Sequence, residues 1–266
     1  MHNYYNIAMV GAGNLAWNLA PALENNGHRI SMVFNRTRKN ALLLIEQLYR
    51  AELKRNLNFS NESLDMIIIA VNDNSIKDIA SEIILPENCQ LVHTSGSQSM
   101  NILERSAASS MGVFYPLHSF TKGVMTDFRE VPVFLESSTP NGLHQLKTLS
   151  KGLTKKIFQL TSPQRRALHL SAVIATNFSN HLFTLAKKIM DKNGIDFNHL
   201  QPLSFSMIQK IFTIGPEAGQ TGPAIRNDLE TIDEHLEMLE NEEDLVEIYS
   251  IMSKNIQQSR KRPKKH

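Results

Sequence analysis

Cysteine is nearly missing from this chain. Cys89 is the only one in 266 residues, which excludes an internal disulfide and fits a reducing compartment, the cytoplasm. Long apolar runs are missing too: the longest, Met66 to Val71, is far too short to cross a bilayer. A strand pattern begins almost at once, which leaves no room for a secretory signal. No Cys/His cluster has zinc spacing, so no metal is expected, and no internal repeat stands out. Charge is close to balanced, with a formal net of +2. Even that excess is local. Arg260, Lys261, Arg262, Lys264 and Lys265 crowd the end of the chain, and without them 23 basic residues face 26 acidic ones. Such a run predicts a solvated, disordered tail over residues 259–266. With no aromatic-basic surface motif beside it, neither nucleic acid nor a membrane is an expected partner.

What is present is ordinary for a globular protein: 41% apolar and 20% charged residues, with length enough for two modest domains. Over the first 160 or so residues, short β-rich runs alternate with helical stretches, which predicts a doubly wound, mostly parallel sheet. The expected strands are Asn6–Val10, Arg29–Phe34, Met66–Val71, Gln90–Thr94, Val113–Tyr115, Pro132–Leu135 and Lys156–Leu160, with a weaker one at Leu57–Phe59. Thr161-Ser162-Pro163 then reads as a helix start, a capping hydroxyl followed by proline. Beyond it the patterning is helical only: Arg165–Lys192, Leu203–Phe212 and Asp228–Lys254. The predicted organisation is therefore an α/β domain over 1–161 and an all-α domain over 162–258. Pro21 falls inside the first predicted helix, where a kink is expected.

The stretch Gly11-Ala12-Gly13-Asn14-Leu15-Ala16 lies between the first strand and the first helix. Gly11 permits a tight turn, Gly13 lets the backbone approach a pyrophosphate, and the amides of Asn14 and Leu15 point at the phosphate from a positive helix end. An acid commonly closes the second strand of such units to bind the adenine ribose. It is absent here, and Asn35-Arg36-Thr37 takes its place. A carboxylate repels a 2′-phosphate while a guanidinium binds one, so the expected cofactor is NADP. Val71-Asn72-Asp73 leaves the central strand at the edge that borders the cofactor crevice, and Ser95-Gly96 leaves the next strand near the nicotinamide end. Gly96 is expected to allow close approach of the ring.

The stretches GAGNLA, NRT, AVNDNSI, HTSG, YPLHSFTK, RRALHLSAVIATN and QTGPAIRND span nearly the whole chain. In them the sequence resembles a family of NADP oxidoreductases that joins a Rossmann-like domain to a helical domain of unknown function, the DUF 2520 type. It is more distantly similar to pyrroline-5-carboxylate reductase, the β-hydroxyacid dehydrogenases and ketopantoate reductase. That resemblance implies an NADPH-dependent reductase of a small 2-keto acid, ketopantoate-like, or of a cyclic imine, with hydride transfer in the cleft between domains. It also implies a homodimer through the helical domain. The alternative is an NADP-binding sensor without turnover. It stays open because the helical lysine that serves the β-hydroxyacid dehydrogenases has no counterpart before Lys187.

In that lysine's stead, His169 is the candidate proton donor, since histidine titrates near neutrality. Asn177 lies eight residues on and His181 four beyond it, which puts all three on one helix face. Asn177 would align a substrate carbonyl. His118 and Ser119 are substrate-binding candidates from the sheet side. Thr221 and Arg226 are candidates from the Gly/Pro-rich loop before the last helix, Arg226 as a carboxylate clamp or, together with Asp228, as a plain anchor for that helix.

Overall fold

The computed structural model describes residues 4–260, in two compact units, Met1–Ile174 and Ala175–His266. In the first, β1 (Asn6–Val10), β2 (Arg29–Phe34), β3 (Glu52–Leu53), β4 (Met66–Ile69), β5 (Gln90–His93), β6 (Ser110–Pro116), β7 (Val133–Ser137) and β8 (Ile157–Gln159) form one sheet. Its spatial order is β3-β2-β1-β4-β5-β6-β7-β8. All neighbours are parallel except β6 and β7. The order reverses between β1 and β4, so the carboxyl ends of those two strands flank the crevice where such sheets take ligands.

Residues Met66 to Ile69 are wholly buried, and their alternation decides which side each one serves. Met66 and Ile68 join Ile7 and Met9 in the core on one face, while Ile67 and Ile69 join Ala8 and Val10 on the other. A strand covered on both faces has no polar side to show, hence its unbroken apolar sequence. Each such side chain contributes about 1.5–3 kcal/mol of burial. The helices α1 (Asn14–Asn25), α2 (Arg38–Ile45), α3 (Asp73–Glu82) and α4 (Pro140–Lys151) supply the covering layers.

Several expectations need correction. The weak strand at Leu57–Phe59 reduces to one bridge, Asn58 to Ile84, and the edge strand is instead Glu52–Leu53. Two residues are too few for a periodic signal. The first helix, by contrast, continues past Pro21 as expected. The single long helix expected over Asp228–Lys254 is two: α10 (Leu229–Met238) and α11 (Glu243–Arg260). Leu239 caps the first, and the polar Glu240-Asn241-Glu242 turn forms i→i+3 bonds in place of a continued ladder.

The helix start at Thr161 forms as a full capping box: Thr161 and Gln164 exchange side-chain-to-backbone bonds at the head of α5 (Ser162–Ala172). This helix belongs to the sheet's unit, which extends to Ile174. Arg165 and Ser162 bond it to the sheet's loops and to Glu136 of β7. A π-helical segment, Val173–Phe178, follows before α6 (Ser179–Lys192). Its wider i→i+5 turn alters the residue count that put His169, Asn177 and His181 on one face.

The second unit continues with α7 (Gln201–Ile214), α8 (Pro216–Gly219), α9 (Pro223–Arg226), α10 and α11. Its cover is thin. Leu185 is the only buried residue of α6, and α7 has none. Phe178, Leu203, Phe205 and Phe212 stand exposed, Phe212 at 87%. Residues 259 and 260 of the expected tail continue α11; the remainder lies outside the described residues.

Candidate functional site

The glycine turn sits at the switch point. Gly11 adopts φ +119°, and a Cβ there would stand 2.1 Å from the Ala70 carbonyl oxygen at the end of β4. Only glycine fits. Gly13 by contrast opens onto free space, with nothing within 4 Å of where a Cβ would be. It heads α1, whose first turn has neither a side-chain cap nor an acid. The amides of Asn14 and Leu15 therefore begin a helix whose positive end is left for an anion. These are the features a dinucleotide pyrophosphate needs: an uncapped helix end and a backbone with no side chain in the way.

Asn35 does more than donate. Its Oδ1 accepts from the amide of Ala12 at 3.2 Å and its Nδ2 donates to the Thr37 carbonyl at 2.9 Å. It thus ties the glycine turn to the loop after β2. Arg36, Thr37 and Arg38 are exposed beside it, and neither arginine has an acid partner among the described residues. A 2′-phosphate would meet two unneutralised cations there. Val71 is half-buried, and Asn72 precedes α3, whose first residue, Asp73, accepts a hydrogen bond from the Ser97 hydroxyl.

Around Ser95 the structure assembles a cluster the sequence does not announce. Ser95 is buried, and its hydroxyl accepts from the amides of Ser97 and Gln98. His169 of α5 reaches this loop, with Nδ1 3.0 Å from the Tyr115 hydroxyl of β6. Gly96 lies under both rings: a Cβ there would be 2.6 Å from His169 Nδ1 and 2.7 Å from Tyr115 Cζ. Its lack of a side chain admits protein rings, a role the sequence-based expectation reserved for a cofactor ring. Arg165, 1% exposed, lies one turn earlier on α5. It donates to the carbonyls of Ser95 (2.7 Å) and Gly96 (3.1 Å), to Glu136 (3.2 Å) and to Ser162 Oγ (3.1 Å).

Charge in this cluster is tightly held. Burial lowers the pKa of Arg165, opposed by its bond to Glu136. His93, also buried, accepts from the Ser95 amide through Nδ1. Burial, aided by the Arg165 charge, pushes its pKa down to about 3, so it stays neutral. Burial also raises the Tyr115 phenol and drives the Cys89 thiol up to about 12, leaving no thiolate nucleophile there. A surface groove beside the cluster is lined by Ser97, Gln98, Ser99, Pro163, Arg166 and His169. Arg166 is exposed and carries no ion pair among the described residues.

Other candidates stand apart from these contacts. His118 and Ser119 are exposed just past β6, where the His118 ring lies 5.1 Å from that of Phe120. In the second unit, Asn177 is exposed and accepts from Thr176. Thr221 is exposed too. Arg226 sits 3.6 Å from Asp228, and Asp228 caps α10 through the Thr231 amide, as in the anchoring alternative. Tyr115, Glu136, Arg165 and Arg166 were not legible as site residues. Tyr115 reads as one more strand aromatic, and the two arginines are adjacent and identical in type.

A doubly wound sheet with an open glycine turn at its switch point defines a dinucleotide-binding protein of the Rossmann class. Comparison with known proteins agrees. Residues 6–92 match a family described as NADP oxidoreductase coenzyme F420-dependent, and residues 131–256 match a domain of unknown function, DUF2520. Among solved structures, BF3122 from Bacteroides fragilis, named as an NADP oxidoreductase, is 34% identical over 96% of this chain and 99% of its own, with a TM-score of 0.87. The chain belongs to this family of NADP oxidoreductases, with a DUF2520 C-terminal region. Two remoter structures share the fold. A reductive aminase from Aspergillus terreus, in complex with NADPH and ethyl-5-oxohexanoate, is 12% identical over 97% of this chain and 95% of its own, with a TM-score of 0.70. The 1-pyrroline-5-carboxylate reductase of Streptococcus pyogenes is 11% identical over 98% and 99%, with a TM-score of 0.62. No curated protein sequence matches. No helix among the described residues is long and apolar enough to cross a membrane.

Proposed function

We propose that the protein is an NADPH-dependent reductase of a small 2-keto acid or of a cyclic imine. The observation that carries this reading is the Tyr115–His169 pair beside Gly96, at the loop leaving β5. Bound NADPH supplies a hydride. The pyrophosphate rests on the amides of Asn14 and Leu15 past Gly11 and Gly13, with Val71, Asn72, Asp73 and Ser95 along the crevice edge. Arg36, flanked by Asn35 and Thr37, takes the 2′-phosphate. His169 delivers the proton that a reduced oxygen or nitrogen needs. Arg166 favours the keto-acid arm, because an unpaired guanidinium in the same groove as the proton donor is placed to hold a carboxylate. Asn177, His118, Ser119, Thr221 and Arg226 remain proposed substrate contacts.

The test is NADPH oxidation over a panel of 2-keto acids and cyclic imines. Turnover of one class above the uncatalysed rate supports the proposal. Tight NADPH binding with no turnover on any of them overturns it in favour of an NADP-binding sensor. Cofactor choice has its own measurement. Fluorescence titration is expected to give tighter binding of NADPH than of NADH, and Arg36→Glu is expected to erase the difference at a cost of about 1.5–3 kcal/mol. Equal affinities in the unaltered protein count against a phosphate site at Arg36.

The reading extends to a homodimer formed through the helical unit. Helix α7 leaves Leu203, Phe205 and Phe212 in water, more apolar surface than single scattered residues account for. A symmetric contact between two copies would cover it. Light scattering at micromolar concentration is expected to give twice the chain mass, about 60 kDa from the 30.1 kDa chain. The mass of one chain excludes the dimer.

A further inference from the structure

We infer that Tyr115 is a positioning residue that engages His169 Nδ1 and so leaves Nε2 as the nitrogen that serves the reaction. The inference rests on the proposed role of His169 as proton donor. Three residues shape the surroundings of Nδ1. Tyr115 belongs to β6, an interior strand, and is itself buried. Its hydroxyl is 3.0 Å from Nδ1, the rings meeting edge to face at 72°. Gly96 contributes by lacking a side chain, since a Cβ there would occupy the space of the imidazole. Arg165, on the same helix as His169, holds the carbonyls of Ser95 and Gly96 and thereby fixes that loop beneath the ring. No other hydrogen bond of the His169 ring is present among the described residues.

A phenol suits this place because it has both a hydrogen and lone pairs. It accepts from Nδ1–H in the imidazolium and in the neutral ring just left by proton transfer. It donates to a bare Nδ1 when the resting neutral ring carries its hydrogen on Nε2, the form a phenol favours because it donates more strongly than it accepts. The contact persists through both charge states by rotation of one hydroxyl. In the transfer step the Nε2–H bond breaks and its electron pair stays on the ring. The proton joins the substrate oxygen or nitrogen, and Nδ1–H remains bonded to the Tyr115 oxygen. Solvent then reprotonates Nε2. A relay that strips the phenol instead would leave a buried tyrosinate, which the surroundings of Tyr115 disfavour. Tyr115 therefore steers the proton without supplying it.

The experiment is Tyr115→Phe, which keeps the ring and removes only the hydroxyl. Side-chain nitrogen NMR of the protein without substrate reads the tautomer directly. Neutral His169 in the unaltered protein is expected as a single tautomer with hydrogen on Nε2, and in Tyr115→Phe as a mixture. Turnover is expected to fall about 10- to 100-fold with NADPH affinity unchanged, the scale on which loss of a histidine's orienting partner is felt. Gly96→Ala, which pushes the ring aside, is a second route to the same mixture. A mixed tautomer in the unaltered protein overturns the inference, as does full turnover in Tyr115→Phe. These spectra are independent of His169→Ala kinetics: undiminished turnover there removes the proton donor from the proposed function, while the spectra still decide what Tyr115 holds.

Discussion

His169→Ala is expected to lower turnover by about 10²–10⁴-fold while NADPH binds as before. The histidine lies at the loop leaving β5, one strand beyond the glycine turn's crevice, and no contact ties it to Gly11, Gly13 or Arg36. Removing it takes away a proton source and spares the phosphate sites. In steady-state terms kcat and kcat/KM fall together, the mark of an interaction made in the transition state and not in the ground state. If kcat survives and only KM rises, the ring binds substrate and another group delivers the proton. His118, exposed past the end of β6, is then the next to replace.

Arg165→Ala is expected to cost roughly 3–5 kcal/mol of folding stability, the range for removing one partner from a buried ion pair. The guanidinium is 1% exposed and Glu136 16%, so little water screens them. Its loss strands the Glu136 carboxylate, leaves the Ser95 and Gly96 carbonyls without their donor, and opens a void where the side chain was. Urea unfolding, read as the midpoint at constant slope, measures this. Replacing the pair together, Arg165→Met with Glu136→Leu, should recover much of the loss, because no charge is then left buried alone. The Arg129–Asp127 pair provides the contrast. Both side chains sit in solvent, at 83% and 51% exposure, and Arg129→Ala should leave the midpoint where it is. A shift for Arg165→Ala no larger than that of Arg129→Ala would mean that water reaches the cluster.

Much of this protein is local and was therefore legible in its sequence. A glycine turn between strand and helix, a threonine capping a helix three residues ahead of a glutamine, and an unbroken apolar strand are each written in a few consecutive residues, even where the packing that uses them comes from far away. Their signatures are short patterns with one physical cause each. The missing acid after β2 belongs to the same group, since repulsion of a phosphate needs no knowledge of the fold. Two local signals failed because they were too short or too continuous. The two-residue strand at Glu52–Leu53 has no period to detect, and the apolar spacing of Leu229 to Ile248 runs on across a turn that interrupts the backbone but not the pattern.

Only the tertiary structure decided which of two adjacent arginines is buried. Arg165 and Arg166 are chemically identical, and the difference comes from Ser95, Gly96 and Glu136, which arrive from as far as 70 residues away. Tyr115 and His169 meet across 54 residues, through a strand and a helix whose own periodicities say nothing of each other. Gly96 is intelligible only once both rings are over it. Pairings at that distance are fixed by the order of strands in the sheet and by the packing of α5 against their ends. Propensity and spacing act within a few residues and carry no record of them.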